Sequence, residues 1–541
     1  MQQPENQNKK YQALFTEIDS GRIKIPQFQR DFVWSKQQTA QLIDSIIKGY
    51  PIGTFILWRT RDGLRHIRNI GNVQLPDIPK GDAAQYVLDG QQRITSLYAL
   101  RKGIIITRDG QEIDYRDVCI DLSATPDVDE EIVLVDPPKD RPFISVFKLL
   151  NGSLTELIGD YSKDELKKIE VYQKRLTGYD FSVVVIDDYP IDTACDVFTR
   201  INTAGQELSL FEIMVAKTYD KDRDFDLAER YHWLLDNKGA EKDLEDAGYD
   251  TVPPATILQC VSAHLCEQVK RRDILKLKRN DFIEGWDTAT DGLFVAVDYA
   301  RTHLRIPVSR LLPYHALLVP LTFFFVRNGG KKPTKEQHTL LTQYFFWASL
   351  SNRFSSAVES KIAEDLKKVN QILRNEGPNY RGEDVNITLD DLRARWFSTG
   401  DAFCLGILCL YAYFEPKSFE SNSIVTLDNS WLKLNSSKNY HHFFPRAYLK
   451  QQGAPDWQSN VILNITIVDD YLNKREIGAK APSKYMKNFE RKNHHLADTM
   501  KTHLIDDMDG FGIWEDNFDR FIEQRGKRVI AEIEKRLHPK L

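Results

Sequence analysis

The sequence predicts an α+β protein of several domains, and three observations carry that expectation. Strand-like and helix-like stretches alternate through residues 1–215. Helical periodicity then runs almost unbroken to about residue 415. Near the end, two adjacent histidines precede a β-branched run at 461–468. At 541 residues the chain exceeds one core, so we expect domains at 1–215, 216–415 and 416–541.

Composition narrows the class. With 42% hydrophobic and 28% charged residues this is an ordinary globular balance, and no apolar run is long enough for a bilayer. The first ten residues are polar and lack the apolar stretch of a secretory signal, which predicts a cytoplasmic protein. None of the six cysteines forms Cys-x-x-Cys, so they read as buried thiols rather than a zinc or redox site. A net charge of −5 argues against coating nucleic acid nonspecifically but leaves room for a local basic groove.

In the front domain, Pro26 sets an extended entry, and Phe28, Phe32 and Trp34 anchor the segment around Gln29-Arg30. Ser35 is placed to cap a helix over 37–48, which Gly49-Tyr50-Pro51 stops. A strand over 54–58 follows, and a second over 86–88 enters Asp89-Gly90-Gln91-Gln92-Arg93 and a helix over 94–102. A strand, a glycine turn and a helix start make a natural anion cradle. There Arg93 could clamp a phosphate, and Asp89 a metal or a water; a turn with a capping aspartate is the equal alternative on these residues alone. A β-branched strand at 181–186 precedes Arg200, Asn202 and Gly205, with Ser209 capping the next helix. Arg200 and Asn202 are second-rank ligand contacts, and an ion pair of Arg200 with Asp196 or Glu207 explains it equally well. No Gly-x-x-x-x-Gly-Lys-Ser/Thr occurs, so this is not a P-loop domain.

The middle is helical. Residues 311–326 read as a central buried helix, with His315 as a core histidine. Helices at 343–350 and 362–373 flank the polar insert at 352–356, and another spans 403–413. Residues 374–389 form a loop. A charged helix over 525–537 either docks back or mediates assembly, such as a homodimer.

At the end, Tyr440-His441-His442-Phe443-Phe444-Pro445 leads to the β-branched run with Asn464 inside it, then to Asn473-Lys474. Strand, loop and helix each offering one polar group is the layout of a small metal-dependent hydrolytic site. One imidazole can bind an ion while its neighbour accepts a proton from water. Surface polarity and turn chemistry would explain a lone His-His pair, but the order and spacing here favour the site.

These residues carry a resemblance. His441-His442-Phe443-Phe444-Pro445, Asn464-Ile465-Thr466, Asn473-Lys474 and the segment from Lys480 to Tyr485 resemble the HNH nuclease domain of GmrSD-type (type IV) restriction proteins. Ile25-Pro26-x-Phe28-Gln29-Arg30 with Trp34, and Asp89-Gly90-Gln91-Gln92-Arg93, resemble the ParB/sulfiredoxin-like GmrS domain. The resemblance implies a ββα-metal C-terminal fold and a ParB/sulfiredoxin-like α/β front. It implies His441 and Asn473 at the metal, His442 as general base and Asn464 at the middle of the motif. Apart from the resemblance, this stretch leans basic, and Arg446, Lys474 and Lys480 would meet DNA there, although a solvated charged face would look much the same. A nucleoside triphosphate, GTP or another, would meet Gln29, Arg30, Asp89, Gly90, Gln91, Gln92, Arg93, Arg200 and Asn202, with Asp89 and Arg93 acting in its hydrolysis.

The activity implied is nucleotide-regulated cutting of foreign, often base-modified, phage DNA with magnesium, manganese or nickel. His441 stands where that family more often has a carboxylate, which suits transition metals better than magnesium. It also keeps a nucleotide-dependent DNA-binding switch with an inactive HNH-like domain as the alternative.

Overall fold

The computed structural model describes residues 3–540 except 27–28, 30–31, 62–69, 71–72, 79–80, 109–110, 126–130, 138–140, 202–208, 221, 237–242, 381–384, 430–439 and 469–475. Phe28, Arg30, Asn202, Asn473 and Lys474, all named above, lie outside the described residues. The chain divides into two compact units, Met1–Asp226 and Leu227–Leu541.

The front unit is organised on a mixed sheet. Its strands in chain order are β1 (Glu5–Lys10), β2 (Ile23–Lys24), β3 (Phe55–Thr60), β4 (Ala84–Asp89), β5 (Ile105–Arg108), β6 (Gln111–Asp114), β7 (Val118–Asp121), β8 (Val133–Val135), β9 (Phe143–Ser145) and β10 (Asp180–Asp187). Five of them form the main sheet in the order β1-β10-β3-β4-β2. β10 runs parallel to β3, and β3 antiparallel to β4. The β3–β4 register shifts between Ile56 and Leu57, just where β4 delivers Asp89. Phe55, Leu57, Val87 and Val185 bury one face of this sheet with Phe15, Ile43 and Ile94 from helices.

The helix Lys36–Lys48 starts at Ser35 in a full capping box and ends on left-handed Gly49, as its sequence predicts. The helix Gln91–Lys102 starts at Gly90, whose φ is 91° and which offers no side-chain cap. A Cβ on Gly90 would lie 2.3 Å from Phe55 Cδ1, so the turn needs glycine for both conformation and space.

The back unit joins what the sequence reading divides at 415. The helix Phe518–Leu537 is the reason. Gln343 in the helix Lys335–Leu350 donates to the Leu537 carbonyl at 2.7 Å. Arg525 of the same C-terminal helix lies over Tyr411 of the helix Ala402–Tyr413, at 4.6 Å. Trp396 bridges Val461 antiparallel, and Ile462 N–H donates to the Arg395 carbonyl at 3.1 Å. Middle and end therefore share one core.

The buried helix expected over 311–326 is shorter, Leu318–Arg327. Ser309–Leu311 and His315–Leu317 before it are 3-10 turns on either side of Pro313, and Pro320 sits in the first turn, where no N–H is needed. His315 is half-buried with Nε2 3.3 Å from Thr251 Oγ1, a hydrogen-bonded core contact. No helix among the described residues is long and apolar enough to cross a membrane.

Candidate functional site

The paired histidines lie on β11 (Tyr440–His442), antiparallel to β12 (Ile465–Ile467), with His441 opposite Thr466 and His442 opposite Ile465. Successive strand residues face opposite ways, and the contacts of the two imidazoles divide accordingly.

His441 is 2% exposed, with its ring edge-on to Phe419 and Tyr485. The Thr466 hydroxyl donates to the His441 carbonyl at 3.2 Å, so Thr466 Oγ1 accepts from His441 Nδ1–H at 3.1 Å. That leaves the Nε2 lone pair buried with no hydrogen-bond partner. Burial, with His442 and His503 nearby, holds the pKa of this imidazole well below the usual histidine range, so it is neutral.

His442 is half-buried, its Nε2 2.8 Å from Asn460 Oδ1. The amide is oriented because Asn460 Nδ2 donates to the Phe397 carbonyl at 3.1 Å. Nε2 therefore carries the proton, and Nδ1 keeps a lone pair. Burial lowers the His442 pKa; the Asn460 bond opposes this and the Arg446 charge adds to it. At neutral pH the ring is in the state a general base requires.

Asn464 is not in mid-strand as expected. It ends the 3-10 turn Ile462–Asn464 and enters β12 fully buried. Its Oδ1 accepts from Phe444 N–H at 2.8 Å, and its Nδ2 donates to the Phe444 and Ser459 carbonyls at 3.0 and 2.8 Å. The amide clamps the Phe443-Phe444 loop to the turn, a task only a group with both donor and acceptor can do. It works through the loop rather than on a reacting atom.

Three residues that had no assigned role in the sequence-based expectation complete the support. Asn460 fixes the His442 tautomer. Tyr485 Oη donates to the Phe443 carbonyl at 2.5 Å. Arg525, fully buried, donates through Nη1 to the carbonyls of Leu463 and Ile465 at 2.6 and 2.7 Å, on either side of Asn464. An asparagine just before a β-branched run reads as a turn residue, and a lone arginine on a charged helix reads as surface. Neither carries a sequence signal.

Of the predicted DNA contacts, Arg446 is exposed, with Nη2 3.8 Å from Asp456. Lys480 is exposed and donates to the Glu476 carbonyl at 2.7 Å. For a divalent ion, His441 Nε2 is a donor of the right kind, its other nitrogen already fixed as metal-binding histidines require. Among the described residues no group of three His, Cys, Asp or Glu side chains gathers, so His441 supplies one donor rather than a full set.

In the front unit the two signature segments meet. Gln29, 6% exposed, donates through Nε2 to the Val87 and Leu88 carbonyls, both at 2.8 Å. Gln92 Oε1 accepts from Val33 N–H at 2.9 Å and Trp34 N–H at 3.2 Å. Gln91 is buried beside it, with Oε1 3.4 Å from Gln92 Nε2.

Arg93 is turned inward, a correction to the expected outward phosphate clamp. Nη1 donates to the Ile52 carbonyl at 2.5 Å; Nη2 donates to the Thr54 carbonyl and to Asp89 Oδ2, both at 3.0 Å. Its guanidinium lies over Phe55 at 5.1 Å. Burial lowers its pKa against the pull of Asp89. Arg200 is exposed and pairs with Asp196 at 3.1 Å within its helix. The loop is thus a lock between β3, β4 and the residues Gln29, Val33 and Trp34, with the uncapped helix start left over it.

Comparison with known proteins finds two likenesses. Residues 11–219 match the family described as GmrSD restriction endonuclease, N-terminal domain. The whole chain is similar to an uncharacterized protein of Methanocaldococcus jannaschii. The two are 25% identical over 582 aligned positions, which span 95% of this chain and 96% of that one.

Proposed function

We propose that the chain is a nucleotide-regulated, metal-dependent DNA endonuclease of phage defence, with an HNH-type site on the β11–β12 hairpin. The observation that carries the proposal is His442, a neutral half-buried imidazole whose Nε2 proton is held by Asn460 while Nδ1 is left to take another. A water at Nδ1 gives up its proton to that nitrogen as its oxygen attacks the scissile phosphate, and the P–O bond to the leaving sugar oxygen breaks. Arg446, Lys474 and Lys480 meet the DNA backbone. A bound divalent ion, magnesium, manganese or nickel, supplies charge stabilisation at the phosphate and leaving oxygen; His441 Nε2 and Asn473 are its proposed donors. In the front domain the helix start at Gln91, with Gln29, Asp89 and Arg93, receives GTP or another nucleoside triphosphate, and Arg30, Arg200 and Asn202 are its further proposed contacts.

The divided contacts of His441 and His442 favour one second reading, a nucleotide-dependent DNA-binding switch that does not cut. Wild type and His442→Ala decide between them on modified and unmodified plasmid and phage DNA, with manganese or magnesium, with and without GTP. The expected result is cutting by wild type alone, with triphosphate turnover intact in the variant. Cutting retained by His442→Ala removes the proposed base. Triphosphate consumed with no cutting by either protein selects the switch.

A further inference from the structure

Of the three exposed tryptophans among the described residues, Trp233, Trp396 and Trp457, the last two belong to segments that meet at Asn460. Trp396 is 48% exposed and Trp457 58%. Trp457 lies in the short helix Asp456–Ser459, which Asn460 follows directly. Trp396 bridges Val461, and Phe397 beside it is joined to Asn460 twice, Phe397 N–H to the Asn460 carbonyl at 2.8 Å and Asn460 Nδ2 to the Phe397 carbonyl at 3.1 Å. Both indoles thus ride on the segments that hold the partner of His442. An indole left in water forgoes a large burial gain, so two on adjoining segments point to a partner that covers them.

The charges nearby say which. Arg446 and Lys450, both exposed, stand on the helix Arg446–Gln451 that leads from the His442 strand, and among the described residues Asp456, at 3.8 Å, is the acid paired with Arg446. Aromatic faces beside cations bind nucleic acid whose bases are free to stack on the rings while phosphates meet the cations. In a paired duplex the bases are stacked on one another and offer no face. We propose that Trp396 and Trp457 are a stacking platform for unpaired bases next to the phosphate on which His442 acts, so that the site prefers DNA that is locally open: single strands, mismatches or extruded bases. This rests on the nuclease reading above and adds a substrate preference to it.

The test uses the full chain with His442→Ala, so that DNA survives. Binding is read by fluorescence anisotropy on oligothymidylate, a matched duplex and the same duplex with a central mismatch. The parent is expected to favour the single strand and the mismatch. Trp396→Ala and Trp457→Ala should each weaken those two by about tenfold and leave the matched duplex nearly unchanged, as expected for loss of one base–aromatic stack. Phenylalanine at either position should restore most of the loss, and unchanged melting curves show that the fold is intact. Equal binding by parent and tryptophan variants overturns the platform, as does a parent that prefers the matched duplex. A change of oligomeric state in the variants, read by sedimentation, makes these indoles a contact with a second copy instead. If wild type cuts DNA and the tryptophan variants bind as the parent does, only the platform falls. If the parent binds no DNA, the nuclease reading falls with it.

Discussion

Asn460→Asp tests the proton inventory of the site directly. It replaces the acceptor 2.8 Å from His442 Nε2 by a carboxylate of the same shape. An opposite charge that close favours the imidazolium by about 1–3 pKa units, at about 1.4 kcal/mol per unit. In the wild type, burial holds His442 below its ordinary range. The carboxylate opposes that, and the ring stays protonated to higher pH. If Nδ1 must be empty to take a proton from water, the acid limb of kcat/KM moves up by the same amount, and cleavage lost at neutral pH returns in alkali. The Phe397 carbonyl loses its donor in this variant, a stability cost of about 1–3 kcal/mol that a melting curve measures separately. Asn460→Ala is the control, which frees the tautomer without adding charge and should lower the rate with a smaller displacement of the limb. A folded, active Asn460→Asp enzyme with the wild-type limb would refute the assignment of His442 as base.

Three further outcomes follow from the structure. His503 is 3% exposed, donates to the Lys417 carbonyl at 2.7 Å, and is pulled by burial to a pKa of about 3. Its folded pKa lies below its unfolded value, so its contribution is present above about pH 6.5 and is lost as the pH falls. By pH 5 that loss is about 2 kcal/mol. Urea unfolding at pH 7.5 and pH 5 should therefore show His503→Phe losing less stability than wild type, and equal losses would sink the argument. Arg93→Ala leaves Asp89 and two carbonyls without a partner, so it should lower thermal stability by about 2–4 kcal/mol and abolish triphosphate turnover. Turnover retained in a folded variant would make the loop purely structural. Manganese or nickel should raise the melting temperature of wild type but not of His441→Ala, and an equal rise in both would remove His441 as a donor.

How much of this could be read in the sequence depends on range. Local signals were accurate: Ser35 and Gly49 bound the helix Lys36–Lys48, and the strand into Asp89 followed by the Gly90 turn is where the pattern puts it. The β-branched run at 461–468 misled in part, because Asn464 needs three backbone partners and gets them by bending Ile462–Asn464 into a turn before β12 begins. Residues acting across long separations left no mark. Arg93 looks like a free cation at a helix start until Ile52 and Thr54 are folded against it. The boundary at 415 fails for the same reason, since only the packed Phe518–Leu537 helix shows that middle and end share a core.

Arg525 gives the hairpin a place in time as well as in space. The carbonyls it holds, those of Leu463 and Ile465, precede it by 62 and 60 residues. At a synthesis rate of about 5–20 residues per second, the turn at Asn464 waits roughly 3–12 s for the guanidinium that braces it. During that interval His442 exists without a finished frame, while the front unit, complete by Asp226, has long been able to fold. On the nuclease reading proposed above, the hairpin that carries His442 therefore takes its braced form only once residue 525 has been made.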